Sequence, residues 1–152
     1  MNEFLISEIE EKDLPEVFSL ANNVLEKQVF PILSSEGIDT IRKNLDSDTS
    51  DILNKAIYQA LKIKIDDKIV GYIAWRHGYY IAQLYVASEY QRHGIGTRLL
   101  DEVRKRAGVV NLKVRASLNA VDFYLKYGFT AEGSASEINN IRFLPMEFKV
   151  DS

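Results

Sequence analysis

The sequence predicts an α/β fold built on a mixed sheet, and three observations predict it. Short apolar stretches with strand periodicity alternate with stretches that carry a single apolar helical face. A glycine-bearing segment, Gln91-Arg92-His93-Gly94-Ile95-Gly96, joins a strand-like run from Tyr80 to Val86 to a helix-like run from Thr97 to Ala107. The chain has 152 residues and is 46% hydrophobic, a length and composition expected of one globular domain spanning residues 1–152.

The elements follow in order. Phe4 to Ile9 is predicted as a short strand. Asp13-Leu14-Pro15-Glu16 reads as a helix start, with Asp13 as N-cap and Glu16 as its capping-box partner. Leu14, Val17, Phe18, Ala21 and Leu25 mark the face of that helix, and Ile38, Ile41 and Leu45 mark a second, shorter one. Asp46 to Asp51 is polar and is expected to be a solvated loop. Its acidic spacing fails the calcium-loop pattern, because Asp51 stands where Gly is needed and Ile57 where Glu is needed.

Leu61, Ile63 and Ile65 alternate with Lys62 and Lys64, as in a half-buried strand. Asp66-Asp67 turns the chain into Ile69 to Trp75, more continuously apolar and so more central. His77-Gly78 turns it again into the strand ending at Val86. After the glycine loop, Ile95, Leu99, Leu100 and Val103 face inward. A strand from Asn111 to Ala116 and a helix from Asn119 to Tyr127 follow. Phe129 to Glu137 and Ile141 to Val150 are expected to close the chain as a hairpin, with Asn139-Asn140 at positive φ in the turn. The last strand changes parity at Pro145, which predicts a bulge or an edge position there.

Composition excludes several classes. With no cysteine there is no disulfide, thiol nucleophile or cysteine zinc site. A net charge of −3, from 19 basic and 22 acidic residues, is a poor footprint for nucleic acid. Arg98, Arg104, Lys105 and Arg106 read as a solvated helix face, with Asp101–Lys105 and Glu102–Arg106 spaced to pair. The N-terminus lacks a basic, long apolar leader, and the longest apolar run, Ile69 to Trp75, falls far short of a membrane span. A cytoplasmic protein without membrane or nucleic-acid partners is expected.

A strand, a glycine loop and a helix start make a site for a diphosphate: free N–H groups at the helix N-terminus face the anion. Gly94 and Gly96 would permit a tight bend and close approach of a ligand. The loop lacks the lysine and spacing of a Walker loop. It also lacks the third glycine and downstream acid of a dinucleotide fingerprint, since position 99 is Leu.

It does fit the pattern Gln/Arg-x-x-Gly-x-Gly/Ala, and so resembles the coenzyme A pyrophosphate loop of the GNAT superfamily of N-acetyltransferases. Leu84-Tyr85-Val86 resembles the end of that family's fourth strand. Asn119-Ala120-Val121-Asp122-Phe123-Tyr124-Leu125-Lys126-Tyr127-Gly128-Phe129 resembles its later motif, in which an Asn opens a helix and a Phe-Tyr pair precedes Gly-Phe. Ile141 to Met146 resembles the last strand of many small bacterial members. The resemblance covers the chain from about Ile57 onward; the first 56 residues match only in helical character.

The resemblance implies a mostly antiparallel central sheet of about seven strands with helices on both faces. It implies acetyl-coenzyme A as cosubstrate, no metal, and an amine acceptor that is a small molecule or a peptide, in a monomer or homodimer. Main-chain N–H groups of Arg92, His93, Gly94, Ile95, Gly96 and Thr97, after Gln91, would hold the pyrophosphate. Leu84, Tyr85 and Val86 would line the pantetheine arm, with the Val86 N–H as oxyanion donor. Tyr124 would be the general acid to the leaving thiolate; by periodicity alone it is a core residue. Asn119 either caps its helix or approaches the cofactor. Glu36, Tyr80, Tyr85 and Glu137 are the candidates for the base, each otherwise an exposed carboxylate or a strand aromatic. His93 is expected to face solvent or phosphate, and His77 to be structural. Trp75, Tyr79 and Tyr80 could line an acceptor pocket, although strand aromatics are more often core. The competing reading is a non-catalytic coenzyme A-binding or interaction module on the same fold.

Overall fold

A computed structural model describes residues 4–150. Among the described residues eight strands form one sheet: β1 (Leu5–Glu8), β2 (Tyr58–Ile65), β3 (Lys68–Arg76), β4 (Tyr80–Val86), β5 (Leu112–Ser117), β6 (Thr130–Ala131), β7 (Ser136–Ile138) and β8 (Ile141–Phe148). Their order is β1-β2-β3-β4-β5-β8-β6, with β7 also on β8. Only β4 and β5 run parallel, joined by the crossover helix α3 (Ile95–Ala107). The sheet is thus mixed and mostly antiparallel, as predicted. The predicted strand from Phe129 to Glu137 is instead two short pieces, β6 and β7, which raises the strand number to eight.

Helices cover both faces. Helices α1 (Leu14–Val24) and α2 (Ser35–Asp51) pack with Ile69, Tyr72 and Ala74 of β3 in one core. On the other face α3 and α4 (Val121–Tyr127) pack with Leu61, Ile73, Trp75 and Ile81. Ile95, Leu99, Leu100 and Val103 are all buried, so the predicted inner face of α3 holds. So do the three turns. Asp66, Asp67, His77, Asn139 and Asn140 have positive φ, and Ile65 faces Lys68 and Ile138 faces Ile141 across two-residue connections.

Four expectations change. The segment from Asp46 to Asp51 is the last part of α2, not a loop, because Leu45, Thr49 and Ile52 continue the buried stripe. Asp13 does not cap α1. It is buried and accepts from the Lys62 ammonium and from the Glu10 N–H, 2.8 Å away. Glu16 accepts from the Ile69 N–H at 2.7 Å, tying α1 to β3. Lys62 therefore lies inside, and β2 is buried on both faces rather than one. Burial alone would raise the Asp13 carboxyl, but its hydrogen bonds from Lys62 and Glu10, together with the positive charges of Lys62 and Lys64, hold it below the ordinary carboxylate value. Finally, β8 pairs with β5 in unbroken register through Pro145, so there is no bulge on that side. The interruption falls on the other side, where β6 gives way to β7.

Among the described residues no helix is long and apolar enough to cross a membrane.

Candidate active site

The sheet opens at its centre. Tyr80 and Ile81 of β4 pair with Lys113 and Val114 of β5, and the pairing stops there. The cause lies in β4. Ala74 of β3 faces Gln83 while Trp75 faces Ile81, so Ala82 is an extra residue in β4. Such a bulge bends its strand and increases the local twist, and here it turns the far half of β4 away from β5. The Ala87 N–H donates to Val70 O on β3 at 2.8 Å. Strand alternation then points the N–H and C=O of Val86 the other way, into the gap. Gln91 Nε2 does reach Val86 O on that side, at 3.0 Å.

The start of α3 borders this gap. Its first intrahelical bond is from the Arg98 N–H to Gly94 O, and no side chain caps it. The N–H groups of Ile95, Gly96 and Thr97 precede that bond and are the orphan donors of the first turn. In contrast, α2 is closed by Ser34, whose hydroxyl accepts from the Gly37 N–H at 3.1 Å. Arg92 and Gly94 both have positive φ, 67° and 77°, and this reverses the chain into the helix. Space for a Cβ at Gly94 is open, so its backbone angle is what calls for glycine there. Gly96 is constrained by the protein's own packing. A Cβ there would lie 2.8 Å from Cζ of Phe123, so it permits helix-to-aromatic packing.

Gln91 is turned toward protein. Its carboxamide pairs with that of Gln28, at 2.8 and 2.9 Å. Gln28 lies in a π-turn, Leu25–Val29, that ends α1. His93 is exposed, with Nδ1 3.0 Å from Gln91 O. Asn119 is exposed in a 3₁₀ turn, and Ala120 occupies the N-cap of α4, so Asn119 does not cap that helix.

Tyr124 is buried among aromatics. Its ring stands edge-on to Phe123 at 5.2 Å and to Phe129 at 5.1 Å. Burial, with smaller contributions from the nearby phenols of Tyr85 and Tyr80, pushes its pKa well above the ordinary phenol value. Burial, with Asp48 nearby, pushes the Tyr85 phenol up to about 12. Both remain protonated at neutral pH.

A cavity of about 300 Å³ opens on the α1/α2 side of β4, lined by Tyr58, Arg76, Tyr80 and Tyr85 from the strands and by Asn44 and Asp48 from α2. Of the candidate bases, Tyr80 and Tyr85 line it; Glu36 and Glu137 do not and are exposed. Trp75 is core, 1% exposed, and Tyr79 is at the surface. Asp48 and Arg76 escaped the sequence reading. Asp48 follows Ile41 by seven residues, on the same helical face, and that spacing was the available signal. The basic residues of α3 are exposed, as expected of a solvated face, and two of them also cover aromatic rings. Arg98 lies over the ring of Phe4 and Arg104 over that of Phe148, while Arg106 does pair with Glu102, at 3.2 Å. Asp101 accepts from the Tyr127 hydroxyl instead.

A parallel strand pair that opens beside an uncapped, glycine-bearing helix start, with phenols gathered around the opening, is the architecture of an acetyltransferase. The chain belongs to the GNAT family: the model of the acetyltransferase (GNAT) domain matches residues 29–150. Solved structures agree in fold. A GCN5-related N-acetyltransferase from Rhodopseudomonas palustris superimposes with a TM-score of 0.82 at 21% identity, over 96% of this chain and 95% of that one. The PaiA N-acetyltransferase of Thermoplasma acidophilum, in complex with coenzyme A, gives 0.80 at 21%, over 97% and 99%. An aminoglycoside 6′-N-acetyltransferase complexed with coenzyme A gives 0.69 at 16%, over 94% and 95%. No protein of curated function matches the sequence.

Proposed function

We propose that this acetyltransferase takes its acetyl group from acetyl-coenzyme A and passes it directly to a primary amine of a small molecule or peptide. The observation that carries the reading is the divergence of β4 from β5 beside the uncapped start of α3. The orphan donors there fit a diphosphate, and the unpaired edge of β4 fits an extended arm with amide groups. Two of the structural neighbours, PaiA and the aminoglycoside enzyme, hold coenzyme A.

When bound, acetyl-coenzyme A supplies a thioester, an activated acyl group. The protein's part is then positional and electrostatic. The main chain from Arg92 to Thr97 holds the diphosphate, and Gln91 fixes the loop by its bonds to Gln28 and Val86. Leu84, Tyr85 and Val86 line the arm, and Asn119 stands exposed at the head of α4 beside it. The Val86 N–H, facing the gap, donates to the carbonyl oxygen as charge develops on it. Tyr124 gives its proton to the departing thiolate, and the proton that the amine nitrogen sheds as the amide forms passes to solvent, which returns one to the phenolate; its raised pKa keeps Tyr124 protonated throughout the neutral range. Tyr80 and Tyr85 border the approach of the amine.

The test is a thermal-shift titration with acetyl-coenzyme A, with NAD and ATP as controls, followed by thiol release with a panel of amines. Ligand at 100 times its dissociation constant adds about 2.7 kcal/mol, a rise of roughly 5–10 °C for a domain of this size. A rise with NAD or ATP alone would sink the reading. A rise with acetyl-coenzyme A and no turnover with any amine would favour a non-catalytic binding module.

A further inference from the structure

We infer that the cavity beside β4 selects an acceptor bearing a carboxylate as well as its amine: a free amino acid held by Arg76 and Asp48. The inference rests on the acetyltransferase reading above and adds the class of acceptor.

Asp48 and Arg76 are the only acidic or basic side chains among the described residues that line this cavity. They have opposite charge, yet they form no ion pair with each other, and no side chain among the described residues pairs with either. The main chain at Asp48 and the guanidinium of Arg76 are nevertheless held in place. The Gln83 carboxamide donates to the main-chain oxygen of Asp48 at 2.9 Å, which fixes that part of α2 over β4. Gln83 Oε1 in turn accepts from the Tyr72 hydroxyl at 2.8 Å. The Arg76 guanidinium lies over the ring of Tyr80, 4.7 Å from its centroid, and its Nε is buried with no acceptor among the described residues. A buried donor without a partner is a standing penalty that a ligand oxygen removes. The planar guanidinium fork matches a carboxylate with two parallel hydrogen bonds.

The order along β4 orients the ligand. Arg76 faces Tyr80 at the start of the strand, Asp48 meets Gln83 in its middle, and Val86 ends it at the gap. A ligand carboxylate on Arg76 therefore leaves the ammonium near Asp48, on the side of Val86 and Tyr85. A cavity of about 300 Å³ is at the small end for ligand sites and suits a single amino acid. The same guanidinium repels acceptors with several ammonium groups, such as aminoglycosides.

The experiment uses the full-length protein, saturating acetyl-coenzyme A, and matched acceptors: free amino acids, their methyl esters, the corresponding decarboxylated amines, and an aminoglycoside. At least one free amino acid should exceed its ester in kcat/KM by about tenfold or more, the discrimination expected of a charged hydrogen-bonded pair. Arg76→Met should bring that ratio below about threefold, and Arg76→Lys should restore part of it. Asp48→Asn, at an exposed position of α2, should raise KM for the amino acid without moving Tm and serves if Arg76→Met folds poorly. Esters or decarboxylated amines that react as well as free amino acids would overturn the inference, as would an unchanged ratio in Arg76→Met. A Tm rise with acetyl-coenzyme A but turnover of no amino acid would overturn the acceptor class alone. No Tm rise would overturn the donor reading beneath it.

Discussion

The carboxamides of Gln28 and Gln91 pair head to tail, at 2.8 and 2.9 Å, although 63 residues separate them. One belongs to the π-turn that ends α1, the other to the loop that leads into α3. The pair therefore ties a helix on the acceptor side of the sheet to the proposed donor loop. Gln28→Ala should leave Tm within a few degrees and weaken acetyl-coenzyme A binding several-fold, since a net hydrogen bond is worth about 1 kcal/mol. Gln91→Ala also loses the bond to Val86 O and should weaken it further. Isothermal titration checks both; equal, unchanged affinities would show that the pair does not hold the loop.

Gly96→Ala and Gly94→Ala should fail for different reasons. At Gly96 the new methyl meets Phe123 at 2.8 Å, an overpacking that costs about 1–3 kcal/mol. At Gly94 there is room, but the φ of 77° costs an L-residue roughly 1–2 kcal/mol. Adding Phe123→Leu should rescue the first variant and not the second. Denaturant unfolding of the four proteins decides it; equal rescue would mean that Phe123 is not the obstacle.

Tyr124→Phe should lower kcat by about 100- to 10,000-fold, the range for a lost general acid, with little change in acetyl-coenzyme A affinity. The ring and its contacts with Phe123 and Phe129 are kept, so Tm should hold. Because burial raises the phenol, Tyr124 ionises only above its ordinary value of 10, and kcat should show no alkaline limb from it below that pH. A variant within threefold of the wild-type kcat would remove Tyr124 from the mechanism.

The buried pair of Asp13 and Lys62 should be costly to break. Asp13→Ala leaves the ammonium of Lys62 buried without its partner and should destabilise by about 3–5 kcal/mol. The Asp13 carboxyl sits below its ordinary value of 3.8 in the folded state. Its stabilising contribution is therefore complete above that value and lost as pH falls through the lower folded one. Unfolding free energies between pH 2 and 6 should show an acid-side loss that is smaller in Asp13→Ala; parallel curves would refute the linkage.

Local patterns carried most of the fold. The turns at Asp66-Asp67, His77-Gly78 and Asn139-Asn140 were legible because their residue types tolerate positive φ, and the inner face of α3 because its apolar spacing is helical. The length of α2 was not, since its last turns are polar and only Thr49 and Ile52 reveal the continuing buried stripe. Lys62 looked solvated because a period of two cannot say that the opposite face is also covered.

The sequence by itself determined the family, the mixed sheet and the glycine loop with its following helix, since these rest on contiguous residues and local backbone preference. Only the tertiary structure decided what converges on the opening. The extra residue at Ala82 that parts β4 from β5, the carboxamide bridge from Gln28 to Gln91, and the unpaired charges of Asp48 and Arg76 all depend on contacts between segments distant in the chain. Pairing register and side-chain proximity across such distances are set by packing the two cores on either face of the sheet, and no local pattern encodes them.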